Sequence, residues 1–231
     1  MALPVGLAPA NAMQSGAIDQ SAAGRIAGRV SVIGAVEKPK PLPVFKSRSF
    51  CGASVPNETL LVTADGRLRN AAVILRSPAA VAAAQPKTVV LDNQHCAFTP
   101  HIQIAPLGSE LLLKNSDPIL HTVHARLDQE TLFNVGLPRW RQVVKRLDRA
   151  GVIRIDCDVL HTWMSAAIIV TDSPYYFVSN EKGEFFFDGL PAGVYDIEIW
   201  HERLGRKSQR IAVRDHATTD VDVVFALEKK P

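Results

Sequence analysis

Val152-Ile153-Arg154-Ile155-Asp156-Cys157-Asp158-Val159-Leu160-His161-Thr162-Trp163-Met164 is the stretch on which the rest of the chain turns. An alternating apolar run ends at Cys157, and a histidine and a methionine follow at short intervals. Cys-x3-His-x2-Met sets a thiolate, an imidazole and a thioether on one loop. That donor set suits copper and suits magnesium or calcium poorly. A His2Cys copper site with a weak axial methionine needs a second histidine from elsewhere. Lys114-Asn115-Ser116-Asp117-Pro118-Ile119-Leu120-His121-Thr122-Val123-His124 supplies it, with His121 just beyond a turn. The chain has only three methionines, and Met164 is the only one after residue 13, so its position beside His161 is informative.

Outward from this loop the pattern is short strands broken by turns. Strands are expected at Thr88–Leu91, Ala97–Ile104, Glu110–Lys114, His121–Arg126, Gln142–Arg146, Gly151–Cys157 and Met164–Thr171. Pro106-Leu-Gly108, Asn115-Ser-Asp-Pro118 and Asp148-Arg-Ala-Gly151 carry turn chemistry. Such spacing predicts an all-β antiparallel sandwich or barrel, for which the Greek key is the common wiring. Before it, Ile26–Ile33, Thr59–Thr63 and Ala71–Arg76 read as strands, and the prolines of Glu37-Lys-Pro-Lys-Pro-Leu-Pro-Val44 read as an extended loop. Either those early strands complete the sandwich or they pair with the C-terminal segment. After Asp172-Ser-Pro174 come further strands at Tyr175–Ser179, Glu184–Phe187, Val194–His201, Lys207–Val213 and Thr219–Leu227, without catalytic signals. The expected division is a leader at 1–23, disordered or a remnant of a signal peptide, a main domain at 24–173 with an N-terminal extension, and a small β domain at 174–231.

Composition narrows the function. With 231 residues, 47% hydrophobic, the chain can bury a sizeable core. A net charge of +3 is too small to imply nucleic acid, and no apolar run is long enough for a membrane span. The denser basic stretch at Arg139, Arg141, Lys145, Arg146 and Arg149 reads as a solvated face, with a role in docking an acidic redox partner as the alternative. If Cys51 and Cys96 pair, closing that loop contributes about 4 kcal/mol, and Cys157 is left over for a metal in an oxidising compartment. The competing reading is three reduced, buried cysteines in the cytosol. Ala10-Asn11-Ala12 fits a small-x-small cleavage site, although no basic n-region precedes it.

Phe98-Thr-Pro100, Gly108, Asn115-Ser-Asp117, His121-Thr-Val123 and Cys157-x3-His161-x2-Met164 together resemble the plastocyanin-type cupredoxins over about residues 88–171. The likeness extends to exported cupredoxin-like proteins labelled methylamine utilisation proteins, in which a segment like Cys51-Gly52 precedes the core. Asn180-Glu-Lys-Gly-Glu-Phe-Phe-Phe-Asp-Gly-Leu-Pro-Ala-Gly-Val-Tyr195 is similar to a carboxypeptidase regulatory-like segment. The resemblance implies a cupredoxin-like sandwich with a small sandwich-like appendage, His121, Cys157 and His161 as equatorial copper ligands, and Met164 as the axial one. The position four residues before Cys157 is Ile153 rather than a second cysteine, so the site is expected to be mononuclear. Thr122 stands where many cupredoxins have asparagine, which leaves the hydrogen bonding around the metal open.

Soft donors favour Cu(I) while imidazoles keep Cu(II) acceptable, which suits one-electron transfer in an exported, periplasmic carrier. No acid–base set for an enzyme stands out. The expected partner is a redox protein, such as a cytochrome or dehydrogenase. Copper capture and delivery is one alternative, and a metal-free protein- or glycan-binding module on the same fold is another. His101 and His124 are candidate accessory ligands beside plain structural roles. His201 reads as structural, packed between lobes, and Trp163 as packing near the site.

Overall fold

Alternation of apolar and polar side chains builds strand after strand, and the computed structural model describes residues 23–77 and 81–227. The leader expected at 1–23 lies outside the described residues except for its last position. In chain order come β1 (Gly24–Ile33), β2 (Leu42–Pro43), the one-turn helix α1 (Arg48–Cys51), β3 (Ser54–Val55), β4 (Ala72–Arg76), β5 (Thr88–Gln94), β6 (Ala97–Thr99), β7 (Ile102–Pro106) and β8 (Ser109–Asn115). There follow β9 (His121–Leu127), β10 (Glu130–Leu137), β11 (Gln142–Leu147), β12 (Gly151–Asp156), β13 (Ser165–Thr171), β14 (Tyr175–Val178), β15 (Glu184–Leu190), β16 (Gly193–His201), β17 (Gly205–Val213) and β18 (Thr218–Ala226). The protein is all-β, as expected.

The first sandwich sets the five-stranded sheet β10-β9-β12-β13-β7 against the four-stranded sheet β11-β8-β5-β6. Leu91, Leu111 and Leu113 from one sheet meet Val123, Ile155 and Ile168 from the other in a shared core. Two pairings, β5 with β8 and β7 with β13, are parallel rather than antiparallel. In each case the chain crosses to the opposite sheet between the paired strands and returns in the same direction. The single strand expected at Ala97–Ile104 is two, β6 and β7, which lie in different sheets. Pro100, which has no N–H to give a ladder, sits at the break. β10 was not foreseen because it is an edge strand whose side chains, Leu137 aside, are exposed or half-buried, with weak alternation. At the expected strand Thr59–Thr63 only an isolated bridge, Val62 to Leu68, is formed.

A second sandwich pairs β15-β1-β18 with β14-β4-β16-β17. Ile26, Val30 and Phe185 face Leu75, Tyr195 and Ile197 across its core. Both early strands belong here: β1 pairs with β15 and β18, and β4 with β14 and β16. The expected division at 173/174 follows chain order, but the hydrogen bonding does not. Residues 88–171 run between β4 and β14, which are antiparallel neighbours, so the first sandwich is inserted between two adjacent strands of the second.

A third apolar seam joins the two. Ala72 and Ile74 of β4 pack with Ile102 and Ile104 of β7 and Ala167 and Ile169 of β13. Four sheets are therefore stacked in series, and the strands at the seam, β4, β7 and β13, are buried on both faces. That explains why Ala72-Val-Ile-Leu75 and Ala166-Ala-Ile-Ile-Val170 are unbroken apolar runs rather than alternating ones. In β1, Gly28 lies directly opposite Phe185, whose ring would sit 2.1 Å from a Cβ there.

Candidate metal centre

Antiparallel pairing of β12 with both β9 and β13 gathers the start of β9, the end of β12 and the start of β13 at one edge. His121 opens β9, Cys157 follows β12, and His161 lies on the loop into β13. The pleat turns His121 inward with Val123 and Ala125, and His121 and His161 are almost fully buried. Both histidines present Nδ1 to the cysteine: Nδ1 to Nδ1 is 3.1 Å, and Cys157 Sγ lies 4.0 Å from His121 Nδ1 and 3.7 Å from His161 Nδ1. A metal about 2.0–2.1 Å from nitrogen and about 2.3 Å from sulfur, the lengths seen at zinc, would hold trigonal nitrogens roughly 3.5 Å apart and nitrogen and sulfur roughly 3.8 Å apart. The three donors fit such an ion, and among the described residues they are the one cluster of histidine, cysteine or acid that does.

The electrostatics suit ligation. Burial pushes the Cys157 thiol up, but hydrogen bonding to His121 and from the N–H groups of Thr122 and Val159, together with the Thr122 hydroxyl, outweighs it and holds the group below the usual thiol range. Burial would also push His121 down, yet Asp117 and Cys157 together hold it above its ordinary value. His161 is lowered to about 4, by burial first and then by the charges of His121 and Lys46. It is therefore neutral at physiological pH, the form in which imidazole binds metal.

The surrounding hydrogen bonds hold each donor by its far side. Asp117 Oδ2 accepts from His121 Nε2 at 2.9 Å and from the Cys96 N–H at 2.9 Å, while Oδ1 accepts from the His95 N–H at 2.7 Å. These bonds overcome burial and keep the Asp117 carboxyl below its ordinary range. They also leave Nδ1 of His121 facing the other two donors, an arrangement like the carboxylate–histidine pairs common at metal sites. Asp117 is itself positioned by the Asn115 turn, where Asn115 Oδ1 accepts the Asp117 N–H and Asn115 Nδ2 donates to the carbonyls of Ile119 and Leu137. At Thr122, the backbone N–H points at Cys157 Sγ at 3.4 Å and the hydroxyl accepts the Asp158 N–H at 2.7 Å. Threonine thus tethers the loop after the cysteine to the strand that carries the first histidine.

The other candidates separate cleanly. Met164 is buried in the same core, and its N–H bonds to the His161 carbonyl at 2.9 Å, closing the ligand loop. His124 points away from the centre, to Thr131 and Asp158. His101 is also outside it: Nδ1 donates to the Ser165 carbonyl at 2.9 Å, and Nε2 meets Glu202 of the second sandwich. His201 is buried, and its Nδ1 accepts the Arg203 N–H. Trp163 stacks 5.0 Å from the His161 ring and donates Nε1–H to the Cys96 carbonyl at 3.0 Å. Cys51 and Cys96 form a disulfide, leaving Cys157 as the free, buried thiol. Asp117 and Ser47, whose Oγ lies 3.2 Å from His161 Nε2, were not singled out by sequence. Asp117 carried one signal, its spacing of four from His121 across a turn. Ser47 carried none.

No protein-family model and no curated protein matches the chain. Solved structures that resemble part of it include a purple cupredoxin from Nitrosopumilus maritimus, 18% identical at a TM-score of 0.32, covering 37% of this chain and 99% of that one. A Cu-containing nitrite reductase from Thermus scotoductus SA-01 is 19% identical at 0.34, covering 41% of this chain and 25% of the reductase. A reduced amicyanin variant is 15% identical at 0.33, covering 42% and 99% respectively. These neighbours are cupredoxins or a copper enzyme, matched at low identity and over part of the chain.

Proposed function

We propose that this chain is a mononuclear copper protein that carries single electrons, with His121, Cys157 and His161 as equatorial ligands and Met164 as the weak axial one. The convergence of two Nδ1 atoms and one thiolate sulfur in a buried pocket carries the reading. Copper bound there would supply a one-electron couple. The chain's own contribution is to hold the donors still. Asp117 orients His121, the Thr122 N–H shares the charge of the Cys157 thiolate, and the turn from His161 to Met164 fixes the loop. A pocket held this way needs little ligand movement when the charge at its centre changes. Asp117, the carboxylate bonded to His121, is committed to that ring and two backbone N–H groups, which favours a carrier over an enzyme.

In this reading the strands of 88–171 are the cupredoxin domain, and β1, β4 and 175–226 are a carboxypeptidase regulatory-like domain, as in the methylamine utilisation group. The Cys51–Cys96 disulfide supports an exported, periplasmic setting. No helix among the described residues is long and apolar enough to cross a membrane. The partner is another redox protein.

The test is the visible spectrum after Cu(II) addition, beside a Cys157→Ser variant. An intense thiolate-to-copper band with one copper per chain, absent from the variant, is expected. Failure to bind copper would remove both the carrier reading and its copper-delivery alternative.

A further inference from the structure

Residues 42–55 belong by chain order to the connection between β1 and β4, yet they pack on the first sandwich. β2 and β3 pair with each other, the Val44 N–H bonds to the Ala53 carbonyl at 3.0 Å, and Val44 and Val55 enter the core that also holds Cys157, Trp163 and Met164. Between them Ser47 reaches Nε2 of His161, the edge opposite the metal-facing atom. His161 is 1% exposed although its neighbour Leu160 is 63% exposed, so the loop itself lies at the surface and an overlying segment seals the histidine.

That segment has little else to hold it down. Helix α1 buries no residue, and the aromatic side chains on either side of Ser47, Phe45 and Phe50, are 72% and 42% exposed. Its covalent anchor is Cys51, joined to Cys96. Cys96 is in turn bonded to what surrounds both histidines. Its N–H goes to Asp117, which holds His121, and its carbonyl receives the indole N–H of Trp163, which stacks on His161. One residue therefore ties the cover to the outer support of the site.

We propose that residues 42–55 are a disulfide-latched lid over the metal centre, and that a dithiol reductant opens it to metal exchange. A thiolate of the dithiol attacks Sγ of Cys51, the less buried cysteine, forming a mixed disulfide and expelling Cys96 as thiolate. The second thiol of the reductant then attacks that mixed disulfide and releases Cys51. Two electrons pass from the dithiol, which leaves oxidised, and the two released thiolates take up protons. With the latch cut, Val44 and Val55, the half-buried Leu42 and Cys51, and the Ser47 contact to His161 are what hold the lid, and local opening exposes His161 and Cys157 without unfolding the sandwich. The inference rests on the metal reading for its purpose, but lid opening is measurable in metal-free protein.

Cys157 is the one free thiol both in the wild-type protein and in Cys51→Ser/Cys96→Ser. Its reaction with 5,5′-dithiobis(2-nitrobenzoate) in metal-free protein is expected to be at least tenfold faster in the double variant, with an unchanged far-ultraviolet β spectrum and new tryptic cleavage after Lys46 or Arg48. Equal rates in a folded variant would overturn the lid. If the double variant loses its β spectrum, wild-type protein decides. Loaded with Cu(I) under ascorbate, it is challenged with bathocuproine disulfonate with and without tris(carboxyethyl)phosphine. At least tenfold faster copper transfer is expected once the phosphine has cut the disulfide, and an unchanged rate would overturn the proposal. Absence of copper uptake would count against the copper reading, and the lid would then be judged in metal-free wild-type protein, where the phosphine is expected to open tryptic cleavage after Lys46 or Arg48 with the β spectrum kept, and unchanged cleavage would overturn it.

Discussion

Asp117 shows how much of a candidate metal centre can lie in a residue outside the donor set. It is 1% exposed and spends both oxygens on three donors: the His121 ring and the backbone of His95 and Cys96. Asp117→Asn keeps the shape but loses the charge and one acceptor. A 10- to 100-fold drop in copper affinity is expected, as for other groups that orient a metal-bound histidine. Chelator competition reads the affinity, and a chemical melt should show a parallel loss of about 1–3 kcal/mol from the unsatisfied amides. Unchanged affinity would mean that the His121 ring is held by packing alone. Thr122 belongs to the same scale. It stands where the family pattern has asparagine, and its N–H and hydroxyl join Cys157 and Asp158 to β9.

Among the elements, β1 is the most exacting. It is the central strand of its sheet, alternates cleanly, and sets Gly28 against the ring of Phe185. Gly28→Ala would force that ring aside, costing about 1–3 kcal/mol of overpacking. A thermal melt should show the loss, and Phe185→Leu in the same chain should recover part of it by removing the clashing ring tip. The thiolate-to-copper band should stay, since Gly28 lies in the second sandwich. A band lost with the melt would mean that the two sandwiches do not keep their structure separately. β4 and β13 make the complementary point. Their unbroken apolar runs look alike in sequence, and each is explained by burial on two faces rather than one.

At the scale of the whole molecule, the apolar seam between sandwiches is closed at its edge by a small polar cluster. His101 of the first sandwich meets Glu202 of the second, next to the buried His201. His201 is lowered from 6.5 to about 4, by burial first, with Glu202 opposing. A buried base with a depressed value favours the unfolded chain once protonated. Its contribution is therefore present above about pH 6.5 and lost as the pH falls toward 4, up to about 3 kcal/mol. His101 works in the opposite sense. Its partner Glu202 outweighs burial and raises it, so its contribution is present at low pH and lost as the pH rises through the raised value. His201→Gln should gain stability relative to the wild-type protein across that acid window. Denaturant melts at pH 7 and pH 4.5 measure the difference, and a variant whose melts parallel those of the wild-type protein would show that His201 is hydrated.

Local pattern alone marked the candidate donor loop, the turn before His121 and most strands, because donor chemistry depends on residue type and spacing, and a strand's faces depend on a period of two. The same pattern could not say which sheet β1 and β4 join, since alternation names the buried face but not the strand that covers it. Only the tertiary structure decided that the first sandwich is inserted into the second, that Cys51 meets Cys96, and that Ser47 covers His161. Those contacts join residues far apart in the chain, and they form only when the packing of four sheets brings their backbones together.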